Sequence, residues 1–170
     1  MIRIALCDDE KNYLDKIKGL LEEYKTEKGL LFDIHSYLSP SALLDKIEAG
    51  EEYSIYILDI YMPGITGMSV ATQLRDMGVE SPIIFLTPSP DFALQALGVN
   101  ATHYILKPYD KDSVFFAIDK ALNEIGMMRP EGIMLRIDGG YQNVLAKNII
   151  FSEADDNYQR IHLVNEKYLY

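Results

Sequence analysis

Between residue 1 and about residue 125 the chain alternates five times between a short apolar run and a segment of helical spacing. Ile2–Cys7 reads as a buried strand that stops at Asp8 and Asp9. Leu14, Ile17, Leu20, Leu21 and Tyr24 then recur at helical intervals. Residues 31–37 form a second strand. Ser39 caps a helix with Pro40 at its first position, carrying Leu43, Leu44 and Ile47. Residues 55–58 make a third strand ended by Asp59, and the turn Met62, Pro63, Gly64 leads into a helix over 68–77. Residues 83–86 make a fourth strand ended by Thr87. Ser89 and Pro90 read as the cap and first turn of a helix that includes Phe92 to Leu97. Residues 104–106 are a fifth strand ended by Lys107, and Asp112 or Ser113 opens a last helix through Leu122. Such alternation predicts an α/β fold: a doubly wound, five-stranded parallel sheet with helices on both faces. In sheets of this kind ligands bind at the carboxyl ends of the strands.

Those carboxyl ends are chemically loaded. Asp8, Asp9 and Asp59 would converge at one edge, where like charges repel and raise one another's pKa. A small oxygen-seeking cation such as Mg²⁺ relieves that conflict while keeping sites for a phosphate. Lys107 and Thr87 would add an ammonium and a hydroxyl at the same edge. Together these groups suit phosphoryl transfer to a carboxylate, where positioning and charge neutralisation do most of the work. Taken singly, each has a plainer reading: an Asp pair as a helix cap, Asp59 as a turn residue, Thr87 as a strand end, Lys107 as a solvated charge. It is their joint placement at the ends of different strands that points to a site. Tyr104, three residues before Lys107, falls on the opposite face of its strand. It is read either as packing or as a rotamer switch coupled to Thr87.

The character changes at Gly126 to Pro130. Beyond it Ile133, Leu135 and Ile137 alternate with polar or flexible residues, Asp138, Gly139 and Gly140 signal a turn, and further short strands follow near 148–151 and 160–164. Residues 132–170 are expected to form a small all-β segment of about four strands, marginal unless it packs on something.

The 170 residues carry a formal net charge of −10 and a single cysteine, Cys7. An acidic surface disfavours nonspecific nucleic-acid binding. Residues 131–170 hold four basic against six acidic residues, a net of −2, so they are not basic either. One cysteine forms no internal disulfide, no apolar stretch is long enough to span a membrane, and the first ten residues are too acidic for a secretory signal. These features predict a cytoplasmic chain with no membrane association.

Over residues 1–125 the sequence resembles the receiver domain of two-component response regulators, a flavodoxin-like fold. The likeness is carried by Asp8-Asp9, by Asp59 with Met62-Pro63-Gly64 and Gly67-Met68, by Thr87 after Phe85-Leu86, and by Tyr104-Ile105-Leu106-Lys107-Pro108. The resemblance implies that Asp59 is the phospho-acceptor, loaded by a sensor histidine kinase. It implies Mg²⁺ held by Asp8, Asp9, Asp59 and the Tyr61 carbonyl. Lys107 would pair with the acyl phosphate across a cis bond to Pro108. Thr87 would hold the phosphate and let Tyr104 turn inward, with homodimer formation through the receiver as one output. The protein would catalyse its own phosphoryl transfer and hydrolysis without being a metabolic enzyme.

After a linker over 126–131, residues 132–170 resemble the start of a LytTR-type DNA-binding domain, on Asn148 to Ala154, Asn157-Tyr158 and Ile161-His162-Leu163. The resemblance implies a transcriptional output, with Asn157 and Tyr158 near a DNA-contacting loop. The segment is too short for the whole module, so the domain is expected to be incomplete here and its later loops missing. Two positions depart from the receiver pattern. Pro88 removes an amide donor beside Thr87, and His103 stands where an Asp is common.

Three rival readings follow. An aspartyl-phosphate phosphatase would want a second acid two residues after the nucleophile, where Tyr61 stands. A flavin-binding module would want a Ser-, Thr- and Gly-rich loop after the first strand, where Asp8, Asp9 and Glu10 would repel phosphate. A receiver acting through protein contacts without DNA binding differs from the leading reading only in its last segment.

Overall fold

The structure is a computed structural model; it describes residues 1–127, 132–137, 140–145, 149–155, 158–163 and 167–169. Two compact units are present, Met1–Met127 and Met128–Tyr170. The first carries β1 (Ile2–Cys7), α1 (Lys11–Lys28), β2 (Phe32–Tyr37), α2 (Pro40–Glu48), β3 (Ile55–Asp59), α3 (Gly67–Asp76), β4 (Ile83–Thr87), α4 (Ala93–Gly98), β5 (His103–Leu106) and α5 (Lys111–Glu124). Its five strands are all parallel, in the order β2-β1-β3-β4-β5.

The sequence explains that order. β3 and β4 are buried at every position, as central parallel strands covered by helices on both faces must be. The edge strands β2 and β5 admit polar residues such as Asp33 and His103. Below the sheet, α1 and α5 meet around Tyr24. This side chain is fully buried, stacks on Phe32, meets Phe115 edge-on at 4.9 Å, and donates to Asp119 at 2.6 Å. On the other face α2 and α3 bury Leu43, Val70, Ala71 and Leu74 against Tyr56, Leu58 and Phe85.

Ser39 caps α2 by accepting from the Ala42 N–H, with Pro40 first in the helix, as the sequence predicts. Two other helix starts differ from expectation. Ser89 does not cap α4; it is engaged with Asp91, whose N–H it accepts at 3.1 Å and whose carboxylate it reaches at 2.6 Å. That local turn delays the helix to Ala93, and the N-cap, Phe92, has no side-chain oxygen to offer. The α5 cap is Asp110, which accepts from the Ser113 N–H at 2.9 Å, so the helix begins ahead of Asp112.

The described strands of the second unit pair antiparallel. β6 (Gly132–Ile137) pairs with β7 (Gly140–Leu145), while β8 (Ile149–Asp155), β9 (Tyr158–Leu163) and β10 (Lys167–Leu169) form a three-stranded sheet in the order β10-β9-β8. Among the described residues five strands stand where about four are expected. β10 has only three residues, too few to register as an apolar run, and is held by pairing with β9. A bulge at Ile149/Phe151 bends β8. His162 stacks on Phe151 at 4.1 Å and its Nε2 lies 2.8 Å from Glu153. The turn residues 138–139 lie outside the described residues. Among the described residues no helix is long and apolar enough to cross a membrane.

Candidate functional site

Parallel register sets strand ends side by side. Cys7 pairs with Leu58, Asp59 with Leu86, and Thr87 with Leu106, so the residues just past each strand meet at one edge. There, carboxylate oxygens of Asp8, Asp9 and Asp59 all lie within 4.8 Å of one another. Asp8 and Asp59 are buried and Asp9 is exposed at the rim. The Asp pair does not cap α1, whose N-cap is Glu10 with no side-chain cap hydrogen bond. Asp8 Oδ1 accepts from the Glu10 N–H at 2.9 Å and shapes the entry to α1, while Oδ2 accepts from Lys107 Nζ at 2.7 Å. Asp59 divides its oxygens similarly. Oδ1 accepts from the Tyr61 N–H at 3.4 Å and Oδ2 lies 3.1 Å from Lys107 Nζ.

Lys107 follows β5, with its N–H donating to the Thr87 carbonyl at 2.8 Å and a cis bond to Pro108 behind it. Its side chain is only 4% exposed. Burial alone would lower its pKa, but the hydrogen bond to Asp8 and the charges of Asp59 and Asp8 leave it raised. The ammonium therefore stays charged at neutral pH. Burial pushes the Asp59 carboxyl above its ordinary range; Lys107 opposes this and the charge of Asp8 adds to it. Ionising Asp59 is thus costly even beside an ammonium. A compact set of three anionic oxygens fits a small hard dication, which would relieve that cost.

Thr87 is completely buried and its Oγ1 makes no hydrogen bond of regular geometry. It is nonetheless close enough to favour ionisation of the Tyr104 phenol, whose pKa burial raises. Tyr104 lies against Phe85, and its hydroxyl donates to the Ser89 carbonyl at 2.5 Å, which ties β5 to the loop before α4. Tyr61 stands at the mouth of the pocket, 44% exposed, edge-on to Phe92 at 5.5 Å. His103 packs on Phe116 at 5.4 Å, and burial, then Lys120, lower its pKa, so it is a neutral packing residue.

Three further residues belong to this edge. Gly67 opens α3 against the end of β3, its N–H donating to the Ile60 carbonyl at 3.1 Å. A Cβ at Gly67 would fall 1.9 Å from the Asp59 carbonyl oxygen. The sequence flags this glycine only through its motif. Tyr13 and Tyr109 wall the pocket, with Lys107 Nζ 3.8 Å from the Tyr13 ring centroid and the two rings 6.4 Å apart. An aromatic in the first turn of α1 is the sole sequence sign of Tyr13. For the DNA contacts, Asn157 lies outside the described residues. Tyr158 is the first residue of β9, and its side chain is likewise outside them.

The family model for the response regulator receiver domain matches residues 4–119. The transcriptional regulatory protein DltR of Streptococcus agalactiae is 29% identical over 136 residues, 79% of this chain and 58% of that protein. The sensory transduction protein LytT of Oceanobacillus iheyensis is 25% identical over 177 residues, 98% of this chain and 68% of that one. The chain thus spans little more than half the length of DltR and about two thirds of LytT. Among solved structures, a response regulator receiver domain protein from Clostridium thermocellum superposes with a TM-score of 0.64 at 25% identity, covering 76% of this chain and all of that one. The match runs from β1 into α5 and takes in every strand end just described, and on it the chain belongs to the response regulator receiver domain family.

Proposed function

We propose that this chain accepts a phosphoryl group on Asp59 from a sensor histidine kinase and uses it to switch a transcriptional output. The observation that carries the reading is the meeting of Asp8, Asp9 and Asp59 around one point, with the Lys107 ammonium paired to two of them. In the transfer, an Asp59 carboxylate oxygen attacks the donor phosphorus. A new P–O bond forms as the bond from phosphorus to the donor's leaving atom breaks, and the electron pair leaves with the donor. For a phosphohistidine donor the leaving atom is an imidazole nitrogen. Mg²⁺, held by Asp8, Asp9, Asp59 and the Tyr61 carbonyl, would supply charge neutralisation on the phosphoryl oxygens. Lys107 would turn a donor toward the same oxygens, and the orphan Thr87 hydroxyl would find its acceptor there.

The acyl phosphate adds negative charge and acceptor oxygens for the Lys107 ammonium and the Thr87 hydroxyl, and would bias two packed arrangements of α4 and β5 by its contacts. Tyr104, tethered to Ser89 beside Thr87, is the side chain best placed to carry that change outward. Leu94, Leu97, Leu106 and Phe116 are exposed on α4, β5 and α5, a surface suited to a second receiver. The likeness to LytT supports a DNA-directed output through the segment after residue 131. The net charge of −10 favours a second reading, output through protein contacts alone.

Incubation with radiolabelled phosphoramidate and Mg²⁺ should label the wild-type chain, and Asp59→Asn should abolish the label. Label retained in Asp59→Asn would move the acceptor elsewhere.

A further inference from the structure

We infer that Tyr13 is a positioning residue for Lys107, and through it for the phosphoryl group; the inference rests on the reading of Asp59 as acceptor. Lys107 Nζ has three close partners. Two are hydrogen-bonding anions, Asp8 at 2.7 Å and Asp59 at 3.1 Å. The third is the face of the Tyr13 ring, 3.8 Å from the ammonium to the centroid. The ring differs from the carboxylates in kind. Its quadrupole attracts the cation over a broad face and occupies no N–H, and the attraction is strongest where the cation is desolvated. Here the Lys107 side chain is 4% exposed.

That difference matters when a phosphoryl group arrives. Lys107 has three N–H donors for two carboxylate acceptors, so one N–H can turn to a phosphoryl oxygen, provided the ammonium stays in the pocket. A lysine stem is flexible and its ammonium is a strongly hydrated point charge, so a lysine freed from its anions tends toward water. A ring face keeps the charge at a fixed depth while its donors rotate. Tyr13 can do this because it is itself held. It sits in the first turn of α1, half-buried, against the ring of Tyr109. Lys16, one turn along, places its Nζ 4.3 Å from the Tyr109 centroid and donates to the Tyr109 carbonyl at 3.1 Å. α1 is thereby tied to the same loop that carries Lys107, and each ring of the wall faces an ammonium.

The test is labelling of the full chain on Asp59 by phosphoramidate and Mg²⁺, with the Lys107 methylene signals followed by NMR. Tyr13→Leu, which keeps an apolar side chain and removes the face, should slow labelling about tenfold and abolish the ring-current upfield shift of the Lys107 Hε protons. Tyr13→Phe should recover both. Should Tyr13→Leu not fold, Tyr13→Met carries the same expectation. The inference is overturned if the face-less variant labels at the wild-type rate, if Tyr13→Phe is as slow as Tyr13→Leu, or if the upfield shift survives loss of the ring. Failure of the underlying reading looks different: the wild-type chain itself would take no label on Asp59.

Discussion

Gly67 has the closest surroundings of the described glycines. With the Asp59 carbonyl oxygen 1.9 Å from where a Cβ would stand, even alanine requires backbone to move, and the backbone in question belongs to the proposed phospho-acceptor. Gly67→Ala should cost on the order of 3 kcal/mol, the upper end for overpacking, read as a shift in urea midpoint at unchanged slope. It should also depress labelling of Asp59 by more than the loss of folded protein explains. At this scale much of the site was legible. Asp8, Asp9, Asp59, Thr87 and Lys107 are polar residues interrupting apolar runs, and a parallel sheet gathers such interruptions at one edge. What could not be read were the uses of side chains within the pocket. The split of Asp8 between a backbone turn and an ion pair, and the ring of Tyr13 beneath Lys107, depend on the tilt of α1 against the β5–α5 loop, which no spacing encodes.

Among the elements, α3 shows how helices and loops at the far edge of the sheet are fixed. Arg75, in its last turn, donates to the carbonyls of Val79 at 2.5 Å, Val99 at 2.9 Å, Ser81 at 3.1 Å and Asn100 at 3.3 Å. One guanidinium thus ties the loops that precede β4 and β5, the strands that end at Thr87 and lead to Lys107. Arg75→Ala should lower stability by about 2 kcal/mol, since bonds to a charged donor are worth more than neutral ones while these partly exposed carbonyls can recover water. Differential scanning calorimetry would show it, and an unchanged melting temperature would remove Arg75 from the scaffold. Helix existence was legible from spacing, and helix starts less so. Ser89 beside Pro90 has the composition of a cap, but Asp91 offers it a closer partner, and Asp110 takes the α5 cap ahead of Asp112. Competing local hydrogen bonds decide such boundaries, and composition does not rank them. The short β10 escaped notice because its pairing with β9, not its own apolarity, defines it.

For the molecule as a whole, charge is the most informative quantity. With a net of −10, and −2 within residues 131–170, the chain has no surplus of cations to release counterions from a duplex. It should therefore give no gel shift with random-sequence DNA at physiological salt, phosphorylated or not; a shift that weakens steeply with added salt would contradict this. The parallel order of the first unit has one more result, in time rather than space. Lys107 and its partner Asp8 are 99 residues apart in the chain, and Asp59 stands between them. Domains are made from the amino terminus at a finite pace. A ribosome carrying only the first three strands holds the proposed acceptor and its acidic neighbours but not the Lys107 ammonium. On the proposed reading, the site is assembled late in synthesis, since the Lys107 ammonium meets Asp8 and Asp59 only after β5 has joined the sheet.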